Sequence, residues 1–311
     1  MAKFWAFLLA GATLVAASSL AGAADLLPPA PAELPPAPAV GAAEFGGWYL
    51  RGDIGVGINA GAINPSISPD PIATGRASGF LSANATNTFN NTTLSSSAMF
   101  DVGVGYAVNN WFRMDVTGEY RGGGHLQTLE TLNDPTFPTG TGSAQFADFY
   151  RGDVSSYIGL LNGYADLGSW SGISPFVGAG IGFAYNRLAG LTDIGQANPG
   201  TGATSPAGGY FANGSKTSFA WALMAGLDFD VTQNLKMELG YRYLDYGSVR
   251  SGGSNCLNGT GLNGGFSPAN CGGSANVLST GRLASNDFRL GLIYMIPETP
   301  SYAPPPVVRR Y

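Results

Sequence analysis

Ten charged residues stand in four groups whose members lie two or four positions apart. They are Arg51 with Asp53, Arg113 with Asp115 and Glu119, Lys236 with Glu238 and Arg242, and Asp287 with Arg289. Side chains two positions apart on a β-strand point to the same face, so each group presents acid and base side by side. Charges taken out of bulk water need partners, and the same face of a neighbouring strand can supply them. The chemistry this spacing suits is ion pairing in an enclosed space. It makes either an interlocking ion-pair core or, where water fits between the charges, a charge-lined path for ions. Glycines on the same faces (Gly103, Gly105, Gly178, Gly180, Gly182) leave room for such gaps.

Covalent and acid–base chemistry find little support. The one histidine, His125, follows three glycines in a long loop, with no acid or nucleophile around it in a recognisable motif. There is no Gly-x-Ser-x-Gly elbow, His-Glu-x-x-His helix, paired Cys-x-x-Cys or phosphate-binding glycine loop, which points to a non-enzymatic protein without metal or cofactor. Arg51-Gly52-Asp53 and Arg151-Gly152-Asp153 match a tripeptide by which some ligands bind integrins. That recognition needs an exposed loop tip, whereas the first lies inside a strand with its charges toward the lumen and the second begins one. Cys256 and Cys271 share a Gly/Asn/Ser-rich stretch. In an oxidising compartment they form a loop disulfide, since no histidine accompanies them as a metal pair would require.

The elements that carry these residues are strands. In 48–58, Trp48, Leu50, Ile54, Val56 and Ile58 share one face and Tyr49, Arg51 and Asp53 the other. Apolar alternation of period two recurs in 98–108, 112–121, 173–185, 219–229, 235–243 and 284–296. In 151–167, Ile158, Leu160 and Tyr164 compete with Tyr157, Leu161 and Leu167 for the apolar face, and the pattern leaves the facing open. Consecutive strands are joined alternately by short turn-type segments (Asn109-Asn110, 168–172, 232–234) and by long gaps at 59–97, 122–150, 186–216 and 247–282. This predicts an all-β fold, an eight-stranded antiparallel transmembrane β-barrel with short periplasmic turns and four long extracellular loops. A soluble barrel would show the same alternation with its apolar face inward. The loop asymmetry, the aromatics at strand ends (Trp48, Trp111, Phe112, Tyr185, Tyr243, Tyr294) and the small residues opposite the apolar face favour the membrane.

The ends of the chain define its route. Lys3, the apolar run 4–15 and Ala21-Gly22-Ala23 form a signal peptide, residues 1–23, so the protein is exported to the cell outer membrane. Residues 24–45 are a Pro/Ala-rich periplasmic segment, 46–296 the barrel, and 297–311 a Pro-rich periplasmic tail. The signal holds one base and no acid, so the mature chain carries 14 basic and 20 acidic residues, a balance of −6 that excludes nucleic acid as a partner. The expected partners are outer-membrane lipid and lipopolysaccharide, with periplasmic envelope contacts through the Pro-rich segments.

Several segments carry a resemblance: Ala23-Ala24-Asp25-Leu26, Gly47-Trp48-Tyr49-Leu50-Arg51-Gly52-Asp53-Ile54-Gly55, and Pro175-Phe176-Val177-Gly178-Ala179-Gly180-Ile181-Gly182. Leu239-Gly240-Tyr241-Arg242-Tyr243-Leu244-Asp245 and Phe288-Arg289-Leu290-Gly291-Leu292-Ile293-Tyr294 complete the set. In this order they resemble the small alphaproteobacterial outer-membrane proteins of the Omp25/Omp31-like family, within the OmpA-like barrels and opacity-type surface antigens. The resemblance covers about 46–296 and implies an eight-stranded barrel with a structural, envelope-integrity or surface-antigen role. Some relatives are described as porins or haem-binding proteins, but no motif here maps a haem site. One departure is that a Pro-rich tail separates the final aromatic, Tyr311, from the last strand. The functional reading is a structural, surface-antigen barrel. A small porin, or an adhesin or ligand-binding protein acting through the long loops, stays open beside it.

Overall fold

The computed structural model describes residues 47–137, 143–198, 205–257, 266–267 and 275–297. The signal, the 24–45 segment, Cys271 and all of the C-terminal tail except Pro297 lie outside the described residues.

Eight long strands form a ring: β1 (Gly47–Asn59), β2 (Ser97–Ala107), β3 (Phe112–Asp134), β4 (Ala144–Asp166), β5 (Ile173–Asn198), β6 (Gly214–Asp230), β7 (Leu235–Gly247) and β8 (Leu283–Met295). Each pairs antiparallel with its neighbours in sequence, and β8 returns to pair with β1, leaving no free edge in the ring. Closure satisfies the backbone hydrogen bonds that lipid could not. The short turns are locked by side chains. Asn109 Oδ1 accepts from the amides of Trp111 (3.0 Å) and Phe112 (2.8 Å), and Thr232 Oγ1 from that of Leu235 (3.1 Å).

The ring is inside-out relative to a soluble barrel. Val102, Phe183 and Phe100 are 69%, 66% and 63% exposed, whereas Arg51, Asp53 and Asp287 are at most 4% exposed. A contiguous exposed belt of Val, Ile, Leu and Phe has no place in water, so this wall faces lipid. Strand β4 resolves the facing that the pattern leaves open. Ile158, Leu160 and Tyr164 point inward, while Tyr157, Leu161 and Leu167 point outward.

The long gaps hold more regular structure than their composition suggests. Strands β3, β4 and β5 run 23, 23 and 26 residues, about twice the length a spanning strand needs. Their outer halves carry strand pairing into residues expected as loop, including His125 and 144–150. Short strands extend this outer wall: Thr86–Leu94 pairs with β3, Ser205–Phe211 with β5, and Ser254–Leu257 with Ser205–Phe211. The first loop also carries a helix, α1 (Pro71–Ala77), whose N-cap Asp70 accepts from the Ile72 amide.

Two β-bulges mark the passage from membrane to outer wall. In β3 an extra residue is inserted between Arg121 and Gly124, with Gly123 at φ +81°. In β5 one is inserted between Ala189 and Thr192, with Gly190 at φ +61°. Both φ values suit glycine. Each insertion switches the strand's parity: odd residues of β3 face inward up to Arg121, and even ones (Leu126, Thr128, Glu130) beyond it.

Candidate functional site

The barrel lumen is the place where chemistry-bearing residues converge. Tyr49, Arg51 and Asp53 enter it from β1 because they alternate with lipid-facing Trp48, Leu50 and Ile54. The same alternation brings in Arg113, Asp115, Thr117, Glu119 and Arg121 from β3.

Five arginines organise the lumen, beginning at the turn end. Arg113 ion-pairs with Asp228 (2.9 Å), Asp166 (3.3 Å) and Glu238 (3.7 Å), and its guanidinium lies over the rings of Tyr164 (4.9 Å) and Phe176 (5.0 Å). Arg51 donates to both oxygens of Asp53 (2.9 and 3.0 Å), to Asp115 (3.0 Å), to Glu238 (2.8 Å) and to the Tyr164 hydroxyl (2.8 Å). Arg289 bridges Asp53 (2.8 Å) and Asp101 (3.2 Å). Farther out, Arg242 pairs with Glu119 and with Asp287 (2.8 Å). Arg121 pairs with Glu119 (2.9 Å) and Asp287 (2.7 Å) and donates to Ser285 Oγ (2.6 Å). Planar guanidinium forks suit this arrangement, since each can satisfy several carboxylate oxygens at fixed angles.

Of the ten charged residues singled out in the sequence, nine lie in this buried network. Lys236 instead sits at the turn-end rim, 3.5 Å from Asp230. Arg121, Asp101, Asp166 and Asp228 belong to the lumen as well. Arg121 stands two positions after Glu119 on the same face, so its spacing carried the signal. Asp101, Asp166 and Asp228 are lone acids among apolar or small residues, without a base two positions away. Tyr49, Asn162 and Tyr164 complete the shell around Asp115. The Tyr49 hydroxyl donates to it (3.1 Å), as does Asn162 Nδ2 (2.7 Å).

The inward glycines do not leave gaps. Each faces a large side chain directly across the sheet: Gly103 opposite Arg51, Gly105 opposite Tyr49, Gly178 opposite Tyr164, Gly180 opposite Asn162, and Gly291 opposite Asp53. A Cβ at Gly105 would run into the Tyr49 ring, and one at Gly178 would lie 2.6 Å from the Tyr164 ring. The missing side chains are seats for the neighbours. Outward of the charges, an apolar layer that includes Leu126, Val154, Ile158, Leu188, Leu191 and Leu278 fills the ring.

His125 lies on β3, with Nδ1 2.6 Å from Asp153 Oδ1. It is therefore a strand residue beside an acid, not an isolated loop residue. The bulge at Gly123 turns it outward, and both side chains are more than half exposed on the outer wall. In the Arg51–Asp53 tripeptide both charges point inward, and Arg151 and Asp153 are exposed within β4 rather than at its start. Cys256 is disulfide-bonded, and Cys271 is the only other cysteine of the chain.

The sequence has relatives. An uncharacterized protein of Brucella abortus is 31% identical over 243 residues, covering 74% of this chain and 78% of its own length. The outer membrane protein PagN of Salmonella typhimurium is 25% identical over 261 residues, covering 80% and 89%. Among solved structures, the outer membrane protein OprG from Pseudomonas aeruginosa is similar with a TM-score of 0.39 and 10% identity, over 81% of this chain and 98% of that one. The family model for the outer membrane protein beta-barrel domain matches residues 7–267. With most of the chain matched and a lipid-facing ring of eight strands, the protein belongs to the outer membrane protein beta-barrel domain family and resides in the cell outer membrane.

Proposed function

We propose that the chain is a non-enzymatic, structural barrel of the outer membrane that does not conduct and presents its outer wall as a surface antigen. The observation that carries this reading is the filled lumen. Five arginines interlock with buried carboxylates, every glycine seat named above is taken by a neighbour, and an apolar layer lies above them. An eight-stranded ring has an interior just wide enough for side chains, so filling it leaves no water path. The network fixes strand register, because a one-residue slip would turn every charge toward lipid. Among the described residues the His125 ring is hydrogen-bonded to Asp153 and to no hydroxyl or thiol, while Ser95 Oγ accepts from the His125 backbone amide, so the nucleophile–base pair of acyl transfer is not assembled there. In this reading the wall contacts membrane lipid and lipopolysaccharide, with Trp48, Trp111 and Trp170 at the turn-end interface, and the Pro-rich segments contact the periplasmic envelope.

Planar-bilayer recording of the refolded chain tests it. The expected result is no single-channel steps. Reproducible steps that vanish on changing Arg113 or Glu119 would establish an ion path instead.

A further inference from the structure

Above the apolar layer, the outer wall holds a half-open cavity of about 360 Å³, a size typical of small-molecule pockets. Three carboxylates from adjacent strands line it: Glu130 of β3, Asp148 of β4 and Asp193 of β5. Glu130 is paired directly across from Asp148, and Asp193 across from Tyr150, two residues along. Like charges opposite one another weaken a sheet. Two deliberate features produce this arrangement. Without the extra residue in β3 and the one in β5, the alternation would leave Glu130 and Asp193 on the outer surface. Bulges commonly serve to re-aim side chains toward a site.

Among the described residues no Lys, Arg or His forms an ion pair with any of the three carboxylates, and the charged groups that act on them are other carboxylates, Asp70 included. Segments 138–142, 199–204, 258–265 and 268–274 contain no Lys, Arg or His. Glu130 is 5% exposed and is held by the Tyr150 hydroxyl (2.6 Å) and Asn87 Nδ2 (2.5 Å). Asp193 Oδ1 is buried with no hydrogen-bond partner among the described residues. The rest of the wall is largely apolar, with Ile67, Phe80, Leu81, Leu132 and Phe146 along it. Phe80 lies 5.1 Å edge-on to Phe137 and 6.2 Å from Phe146, and Phe80 and Phe146 line the same cavity as the acids. Among the described residues no three acids, histidines or cysteines are grouped as a metal ion requires, so the charge in this space suits a larger cation.

We propose that this cavity binds an organic ammonium ion on an apolar body, its charge among Glu130, Asp148 and Asp193 and its body against Phe80, Leu81 and Phe146. Carboxylates supply the charge complement, and the ring faces add cation–π attraction. The cavity lies outside the filled lumen, so conductance and ammonium binding are separate measurements.

The test is isothermal titration of 2-phenylethylammonium into the full chain refolded in lipid nanodiscs, with empty nanodiscs subtracted. Saturable binding of one probe per chain at about pH 8.5 is expected. Binding at about pH 5.5 should be weaker by tenfold or more. Burial, with repulsion from neighbouring carboxylates, holds Asp148 at about 7 and Asp193 at about 8, so both are protonated at the lower pH; burial and the Asp70 charge also push Glu130 up. Tyr150 and Asp70 are the other titratable groups facing them. The variant Glu130→Gln/Asp193→Asn should lose tenfold or more while keeping heat-modifiable migration, since it relieves repulsion. No saturable heat at millimolar probe would overturn the proposal. So would equal binding of neutral 3-phenylpropan-1-ol, undiminished binding by the folded variant, or saturation by Ca²⁺ alone with displacement of the probe.

Discussion

Replacing Arg51 with Met tests the lumen network most directly. Arg51 makes five polar contacts of 3.0 Å or less, to Asp53, Asp115, Glu238 and Tyr164. Its loss leaves four buried arginines facing seven buried carboxylates: Asp53, Asp101, Asp115, Glu119, Asp228, Glu238 and Asp287. Removing one member of a buried ion pair typically costs about 3–5 kcal/mol, because the charge left behind is neither solvated nor matched. Asp53 keeps Arg289 at 2.8 Å and Glu238 keeps Arg113 at 3.7 Å, which places the expected cost near the lower end, about 3 kcal/mol. Arg51→Lys keeps the charge but loses the planar fork and should cost about half as much. Adding Asp115→Asn to Arg51→Met should recover part of the loss by removing an orphaned charge. Equilibrium urea unfolding in phosphatidylcholine vesicles, read by tryptophan fluorescence and heat-modifiable migration, gives the values. With a urea slope of about 1–3 kcal/mol per molar, a 3 kcal/mol loss moves the midpoint by roughly 1–3 M. If Arg51→Met costs no more than the same change at exposed Arg187, the buried pairs do not hold the barrel and the reasoning is refuted.

Two further expectations follow from the same geometry. Gly105→Leu would force a side chain onto the Tyr49 ring and should destabilise the barrel by roughly 1–3 kcal/mol in the same titration, whereas Gly118→Ala, where nothing lies within 4 Å, should stay within about 0.5 kcal/mol. Burial, with repulsion from neighbouring carboxylates, raises Asp148 (to about 7) and Asp193 (to about 8) above their unfolded values, and burial with the Asp70 charge raises Glu130, so the folded outer wall holds protons that the unfolded chain releases. Its stability is therefore fullest below the unfolded carboxylate range and is lost as pH rises through 7 to 8. Amide exchange in the outer halves of β3–β5, corrected for intrinsic rates, should be faster at about pH 8.5 than at about pH 5.5. Asp148→Asn/Asp193→Asn should flatten the difference, and protection that rises with pH would refute the assignment.

Much of this protein is written in local pattern. Alternation of period two identifies seven strands with their lipid and lumen faces, and the alternation of short and long connections orients the barrel. Both signals survive in sequence because a strand's facing follows from its own residues, and charge next to apolar residues marks the boundary between lumen and lipid. Arg51, Asp53 and Arg113 are legible as lumen residues on that ground alone. What the tertiary structure decides is everything that depends on the neighbouring strand. In β4, with apolar residues on both faces, only its pairing with β3 and β5 assigns Tyr164 inward. Gly105 reads as a gap until Tyr49, 56 residues earlier, is seen lying across it. His125 gains Asp153, and Glu130 and Asp193 turn inward, because two bulges shift the parity of β3 and β5. A bulge is set by cross-strand hydrogen bonding and leaves no period of its own in the sequence. Local alternation is enough to specify a charged lumen inside a lipid-facing ring; the register between strands sets which charges meet, which spaces are filled, and where three carboxylates stand together with no base among the described residues.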